Sequence, residues 1–241
     1  MLGSIQPQPL AQQSDGTLAL ADIEAAIKPD DAHFGRTRLL CLENTWNGQV
    51  LAQPYVEDAT ALARRCGLAC HLDGARLFNA AVASRTSMQV LARHFDSVSV
   101  CFSKGLGAPV GSALCGSSAF IDRARRLRKM LGGGMRQVGV LAAAALHAMD
   151  HHVERLAEDH ANARRLADGL RRLNGISVVS PDTNIVFADI TGGRTEALLA
   201  HLRARQVLAT GLIGLRFVTH LDVDVAGVDR TLAAVSEFVS A

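Results

Sequence analysis

Three short apolar segments in the first half of the chain are each followed by a polar side chain and a glycine-containing turn. The segments span residues 39–42, 68–72 and 97–103, and the polar residues after them are Asn44, Asp73 and Lys104. Helical patterns separate the segments, and strand–helix–strand repetition of this kind builds a mostly parallel, covered sheet. Because the carboxyl ends of parallel strands meet at one edge of such a sheet, we expect an amide, an acid and an amine to lie together there.

The pattern changes after Gly175 and predicts a second, smaller unit. A long helix or helix pair is predicted over residues 137–173. The strands predicted beyond it are 176–179, 185–190 and 215–218, and the helices are 195–206 and 228–239. The sequence therefore predicts an α/β fold, with a mostly parallel sheet in a large domain over residues 1–150 and a small α+β domain over residues 151–241.

Charge and cysteine usage limit the partners and the location. A formal net charge of +2 is too small to favour nucleic acid or a membrane surface as a partner. The five cysteines lie in apolar runs, and the first 15 residues carry no secretory signal pattern. Both features indicate reduced thiols and a cytoplasmic protein.

Two patterns could bind a metal ion. Cys66 and Cys70 could form half of a site, but no second pair follows at a matching spacing. His147, His151 and His152 fall at helical spacing, where solvated or interhelical histidines are far commoner than metal ligands. We therefore predict no metal site.

Lys104 is the residue whose chemistry most restricts the function. An ammonium group at the end of a buried strand is costly to desolvate, and desolvation favours the neutral amine that can attack a carbonyl. The alternative is a lysine that extends to solvent from a surface turn. Asp73 could hold a carboxylate against the pyridine nitrogen of pyridoxal phosphate, or could form a simple turn with Gly74. The residues alone leave these alternatives open.

Five segments resemble the low-specificity L-threonine aldolases. They read HLDGARLFNA at 71–80, SKGLGAPVGS at 103–112, RKMLGGGMRQ at 128–137, EDH at 158–160 and RFVTH at 216–220. The segments occur in the family's order, and the likeness extends from about residue 15 to the C-terminus. The resemblance implies a fold of the aspartate-aminotransferase type and pyridoxal 5'-phosphate as cofactor. It also implies cleavage of L-threonine or L-allo-threonine, which are β-hydroxy-α-amino acids, to glycine and acetaldehyde.

The resemblance also implies which residues hold the cofactor. Lys104 matches the lysine that bonds the cofactor aldehyde, and Asp73 matches the partner of the pyridine nitrogen. Arg76 matches an arginine at the ring oxygen of the cofactor. Arg136 matches a residue that reaches the phosphate in a neighbouring subunit, which implies a homo-oligomer, either a dimer or a tetramer.

Further matches imply the substrate contacts. Arg216, together with Arg76, matches the arginines that bind the substrate carboxylate. Lys129 matches a residue lining the site. His33 matches a histidine near the substrate hydroxyl, and we expect it to act as a catalytic base.

The sequence departs from the family pattern in two places. Trp46 replaces the histidine of the family's ENTHN segment, so a polar role at that position is not expected. Family members also carry an N-terminal segment that supplies a glycine-rich phosphate cup and an aromatic residue stacked on the cofactor ring, and we expect this chain to lack it.

Two alternatives to the aldolase stay open at this stage. One is another pyridoxal-phosphate enzyme of the same fold, either a β-eliminating lyase or an aminotransferase. The other is a truncated, non-catalytic remnant of the aldolase that does not hold the cofactor.

Overall fold

The structure is a computed structural model that describes residues 3–240. Its first half contains helix α1 (Leu20–Ala26), strand β1 (Leu39–Glu43), helix α2 (Gln53–Arg65), strand β2 (Ala69–Gly74), helix α3 (Leu77–Ser84), helix α4 (Met88–Ala92), strand β3 (Ser97–Cys101) and strand β4 (Ser112–Gly116). Then follow α5 (Ser118–Met130), α6 (Gly139–His151), α7 (Leu156–Leu170), β5 (Ile176–Val178), β6 (Ile185–Ile190), α8 (Thr195–Ala204), β7 (Leu215–Val218) and α9 (Val225–Ser240). No helix within residues 3–240 is long and apolar enough to cross a membrane.

The first sheet has the strand order β1-β2-β3-β4. The first three strands are parallel, as predicted, and β4 joins β3 as an antiparallel edge strand. Strand β4 was not predicted, because a five-residue segment with glycine at its end carries little strand signal. The strand before Lys104 ends at Cys101, two residues earlier than predicted.

In the described part of the chain, helices cover one face of the expected sheet. Leu40, Leu42 and Leu72 are buried on one face, against α2 on β1 and against α3 and α4 on β2. Side chains that alternate with them, such as Cys41 and Glu43, stay exposed. The strands add in one direction, and right-handed crossovers then place successive connecting helices on the same face. These connecting helices therefore leave the other face of the sheet uncovered.

The second sheet is antiparallel throughout, in the order β5-β6-β7. Helices α7, α8 and α9 cover it, and Leu166, Val186 and Leu202 lie in their shared core. These elements match the predicted α+β unit, with shifts of a few residues at their ends.

The long helix or helix pair predicted over 137–173 is a pair, α6 and α7. Ala148 and Leu156 pack in a cluster with Phe78 and Leu106 of the first half, whereas Leu166 and Leu170 pack under the second sheet. A domain boundary near residue 150 therefore stays a prediction. Its outer limits, residues 1 and 241, lie outside the described range.

The loop after β1 docks directly on the second sheet. The Thr183 hydroxyl donates to the Gly48 carbonyl at 2.6 Å, and the Val50 amide donates to the Asp182 carboxylate at 3.0 Å. Gly48 has φ +90, and a Cβ atom there would lie 2.8 Å from Ile185 Cβ. This close approach requires glycine and holds the second sheet at the carboxyl edge of the first.

Candidate active site

Two carboxylates lie side by side at the carboxyl edge of the first sheet. Glu43 and Asp73 are Cα partners at the ends of parallel strands β1 and β2. Paired residues of adjacent strands project to the same face, so both side chains belong to the uncovered face. Asp73 Oδ1 accepts the Ala75 amide at 3.0 Å, which fixes the carboxylate beside the turn into α3.

Two arginines have unpaired buried groups: Arg76 lies close to these carboxylates, and Arg216 lies close to Arg76. Arg76 occupies the N-cap position of α3, and Arg216 lies on β7 of the second sheet. The Nε atom of each is buried and has no hydrogen-bond partner among the described residues. Burial lowers the pKa of Arg76, and the charge of Arg216 lowers it further. Two partly desolvated guanidinium groups with unpaired donors favour the binding of an anion.

Glu43 is a site residue that the sequence reasoning missed. Partial burial raises the pKa of the Glu43 carboxyl, and the negative charge of Asp73 raises it further. The positive charges of Lys104 and Arg76 act in the opposite direction. The Glu43 carboxyl therefore lies within electrostatic range of Asp73, Lys104 and Arg76. The signal was its place at the end of a strand, directly before Asn44.

Lys104 lies in the turn after β3 and faces the same edge of the sheet. Two backbone bonds close the turn: Gly107 N donates to Lys104 O at 2.9 Å, and Ala108 N donates to Phe102 O at 3.0 Å. Of the two alternatives for Lys104, the lysine that extends to solvent from a turn is the one found in the described residues, because its side chain is exposed. It extends from a turn beyond the strand, beside the uncovered face. It makes no ion pair with any described residue, so its amine is free to bond a ligand.

Asn44 does not present its amide at the edge as expected. The residue is 1% exposed, and its Oδ1 accepts the Leu51 amide at 3.3 Å. The side chain therefore stabilises its own loop.

His33 lies apart from this group of charged residues. It belongs to the exposed loop between α1 and β1, and both its amide and its ring Nδ1 bond the Asp31 carboxylate, at 2.8 and 2.7 Å. Among residues 3–240, its ring makes no other hydrogen bond. The predicted role of His33 as a base stays a prediction.

Lys129 and Arg136 are also exposed, near the end of α5 and in the loop after it. The Lys129 side chain folds over Gly134, and a Cβ atom at that glycine would lie 2.7 Å from Lys129 Cδ. Neither residue forms a hydrogen bond or an ion pair with Asp73, Arg76 or Arg216 in the described part of the chain. Their predicted roles stay predictions.

Trp46 has a packing role in this fold. Gly16 has φ +81, and a Cβ atom there would lie 2.8 Å from the Trp46 ring. The ring therefore fixes the N-terminal turn against the loop after β1.

The three histidines of the second pattern considered for a metal ion lie close together on and just after α6. The rings of His147 and His151 lie 4.4 Å apart, and those of His147 and His152 lie 5.4 Å apart. Within residues 3–240, no three His, Cys, Asp or Glu side chains are grouped so that they could hold a metal ion. His152 instead contacts the Leu106 carbonyl through Nδ1 at 2.6 Å.

The arrangement suits a flat ligand that carries anionic groups and a carbonyl. Lys104 provides an amine, Asp73 a carboxylate, and Arg76 and Arg216 provide planar donors without partners. Pyridoxal phosphate has the complementary groups: an aldehyde, a basic ring nitrogen and a ring oxygen. The orphaned Nε atoms of the two arginines are the structural observation that supports this fit.

Comparison with protein families gives one match over most of the chain. The β-eliminating lyase family matches residues 1–192.

Individual relatives give the same result. The chain is 50% identical over 223 residues to the low specificity L-threonine aldolase of Escherichia coli O157:H7, which covers 92% of this chain and 67% of that protein. It is 41% identical over 244 residues to low-specificity L-threonine aldolase 1 of Arabidopsis thaliana, covering 96% and 68%. The chain thus spans about two thirds of the length of these relatives.

Solved structures share the fold. The threonine aldolase of Leishmania major superimposes with a TM-score of 0.78 at 25% identity, covering 95% of this chain and 69% of that one. A Listeria monocytogenes protein assigned as an L-allo-threonine aldolase gives a TM-score of 0.80 at 20% identity, covering 98% and 69%. This agreement confirms the predicted fold of a mostly parallel sheet joined to a smaller α+β unit.

Proposed function

The chain belongs to the β-eliminating lyase family, and on that premise we propose that it is a pyridoxal-phosphate-dependent aldolase that cleaves β-hydroxy-α-amino acids. The proposed substrates are L-threonine and L-allo-threonine, and the products are glycine and acetaldehyde. The reaction would consume threonine and supply glycine in amino-acid metabolism.

The proposal rests on three cationic side chains without partners among the described residues. They are the guanidinium groups of Arg76 and Arg216 and the amine of Lys104. Arg76 and Arg216 each bury an Nε atom without a partner. A substrate carboxylate can accept hydrogen bonds from a planar guanidinium with two oxygens, which fixes its orientation as well as its position. Holding the carboxylate in this way orients the Cα–Cβ bond of the substrate.

The other residues have separate roles in the proposal. Lys104 would hold the cofactor through its aldehyde group, and Asp73 would hold the ring nitrogen. When bound, pyridoxal phosphate supplies an acceptor for the electron pair that the broken Cα–Cβ bond leaves behind.

A base must remove the hydroxyl proton of the substrate, and a proton must return to Cα. His33 is the candidate from the family resemblance, and we keep it as a proposal. Glu43 is a second candidate, because its carboxyl interacts electrostatically with Lys104, Arg76 and Asp73 at the edge of the sheet. A carboxyl with a raised pKa holds a proton more readily than an ordinary carboxyl, which suits it to proton transfer.

We also propose a cytoplasmic homo-oligomer, either a dimer or a tetramer. All five cysteines are free in the structure, which suits a reducing compartment. Large apolar side chains are exposed on α5, on α6 and in the loop between them, among them Leu127, Met130, Leu131, Val140 and Leu146. Patches of this kind mark protein interfaces. The proposed position of Arg136 at the cofactor phosphate of a neighbouring subunit agrees with this surface.

Product analysis tests the function. The purified chain is incubated with pyridoxal phosphate and each stereoisomer of threonine, and aldehyde, glycine and keto acid are measured separately. The proposal predicts equal amounts of aldehyde and glycine. Keto acid without aldehyde would indicate a β-eliminating lyase or an aminotransferase. A protein that stays colourless with added cofactor would indicate a non-catalytic chain.

A further inference from the structure

A buried polar network connects the turn that carries Lys104 to the strand that carries Arg216. Its centre is Asn79 on α3, which is 2% exposed. Asn79 Nδ2 lies 3.1 Å from His160 Nε2 on α7 and 3.3 Å from Asn184 Oδ1, directly before β6. A buried amide with partners on two other elements fixes their separation, since every unmade bond would leave a desolvated polar atom.

The bond to His160 requires a neutral imidazole ring. His160 is 2% exposed, and burial lowers its pKa to about 4, with a smaller contribution from the charge of Arg164. At neutral pH the ring therefore carries no charge, and Nε2 is free to accept from the Asn79 amide. Protonation would place a donor against a donor and break this bond.

On one side, Asn79 contacts the turn that carries Lys104. A Cβ atom at Gly105 would lie 3.1 Å from Asn79 Oδ1 and 2.8 Å from Leu156 Cδ2. Gly105 is itself buried. The backbone next to Lys104 thus rests on the Asn79 amide and on the first residue of α7.

On the other side, the network reaches the end of β7. Asn184 Nδ2 donates to the Thr219 carbonyl at 2.8 Å, and the Thr219 amide donates to the Asn184 carbonyl at 2.9 Å. Thr219 also donates through its hydroxyl to the Asp159 carbonyl at 2.6 Å. Thr219 follows Arg216 by three residues, so its three bonds hold the strand that carries this arginine.

We propose that Asn79 is a positioning residue that sets the Lys104 turn relative to the Arg216 strand. The catalytic meaning of this inference rests on the proposed function, but the physical coupling does not. Asn79 is buried under Gly105 and acts through the backbone. Its loss should loosen two segments that lie about 110 residues apart in sequence, Gly107–Ala108 and Thr219.

Amide hydrogen exchange on the cofactor-free chain tests the coupling. Asn79→Leu keeps a similar side-chain volume and removes both bonds. We expect exchange at Gly107, Ala108 and Thr219 to become at least about tenfold faster. Faster exchange in only one of the two segments, or in neither, would overturn the proposal.

A substitution at a half-buried asparagine on the same helix as His160 provides the control. Asn162 lies on α7, two residues from His160, and its Nδ2 donates to the Val223 carbonyl at 2.9 Å. Asn162→Leu should speed exchange near residue 223 and leave Gly107 and Thr219 unchanged. Equal acceleration in both variants would mean general loosening of the fold and would contradict a specific role for Asn79.

Two substitutions at His160 keep the test valid if Asn79→Leu does not fold. His160→Gln retains an acceptor for the Asn79 amide, whereas His160→Phe removes it. We expect faster exchange in both segments for His160→Phe and substantial rescue for His160→Gln. The same rates in the two variants would overturn the proposal.

Cofactor-loaded protein provides a second readout. Positioning predicts that Asn79→Leu weakens glycine binding by about tenfold and lowers the yield of borohydride-trapped Lys104, with the fold retained. If the unsubstituted chain traps no cofactor, the proposed function fails, while the exchange result still decides the coupling.

Discussion

Glu43 and Asp73 are Cα partners at the carboxyl ends of adjacent parallel strands, and their side chains share one face of the sheet. Partial desolvation and the charge of Asp73 raise the pKa of Glu43, and the charges of Lys104 and Arg76 offset only part of that rise. Strand register therefore brings together two carboxyl groups for which we propose different tasks: Asp73 would hold the ring nitrogen of the cofactor, and Glu43 would move a proton.

Removal of the Glu43 charge tests its role in proton transfer. In active protein, Glu43→Gln should lower kcat by about 100-fold with little change in KM, a loss typical of acid–base catalysis. The ionised form of Glu43 is lost as pH falls through its raised pKa, so the acidic limb of the pH profile should disappear in the variant. Glu24→Gln, on the exposed side of α1, is the control. An unchanged acidic limb would exclude Glu43 as the proton carrier.

The buried imidazole of His160 should make the folded state sensitive to acid. Its pKa in the folded chain is about 4, against an ordinary value of 6.5, so only the unfolded chain takes up this proton between those values. Its contribution to the free energy of unfolding is complete above pH 6.5 and is lost as pH falls toward 4. The loss is about 3 kcal/mol for a shift of this size.

Denaturant unfolding of two proteins across this range measures that contribution. His160→Gln cannot titrate, so its free energy of unfolding should fall less between pH 7 and pH 4.5 than that of the unsubstituted chain. Parallel curves for the two proteins would show that the His160 proton does not contribute.

Close packing around the turn of Lys104 predicts that a methyl group added at Gly105 lowers the stability of the fold. Gly105→Ala would place Cβ 2.8 Å from Leu156 Cδ2, and we expect a loss of about 1–3 kcal/mol in the free energy of unfolding. Gly139→Ala is the matched control, because nothing lies within 4 Å of a Cβ at the start of α6. That variant should be neutral or more stable by about 0.5–1 kcal/mol. Equal effects of the two substitutions would contradict the packing.

The sequence predicted the positions of the strands better than the burial and direction of individual side chains. Alternating apolar segments and turn glycines located β1, β2 and β3, and the polar residues after strands pointed to one edge. Burial of Lys104 was not predictable, because it depends on which face of the sheet other elements cover. The side-chain direction of Asn44 was also missed, because a backbone amide of its own loop competes for it.

Long-range contacts explain the other omissions. Glu43 belongs to the site because the register of β1 with β2 places it opposite Asp73. The sequence of one strand does not reveal that register. Asn79 lies in a segment that resembles the family, yet its partners His160 and Asn184 are 81 and 105 residues away. A motif identifies a residue, but only the packing of α3 on α7 gives its contacts.

Covalent trapping tests the central claim, that the amine of residue 104 bonds the cofactor, most directly. The chain has three lysines, Lys28, Lys104 and Lys129. Purified protein is mixed with pyridoxal phosphate and reduced with borohydride, and the labelled peptides are identified by mass spectrometry for the unsubstituted chain and for Lys104→Ala. We predict that the label lies on Lys104 and that the visible absorbance disappears in the variant. Label spread evenly over Lys28, Lys104 and Lys129, or absorbance retained in Lys104→Ala, would contradict the account.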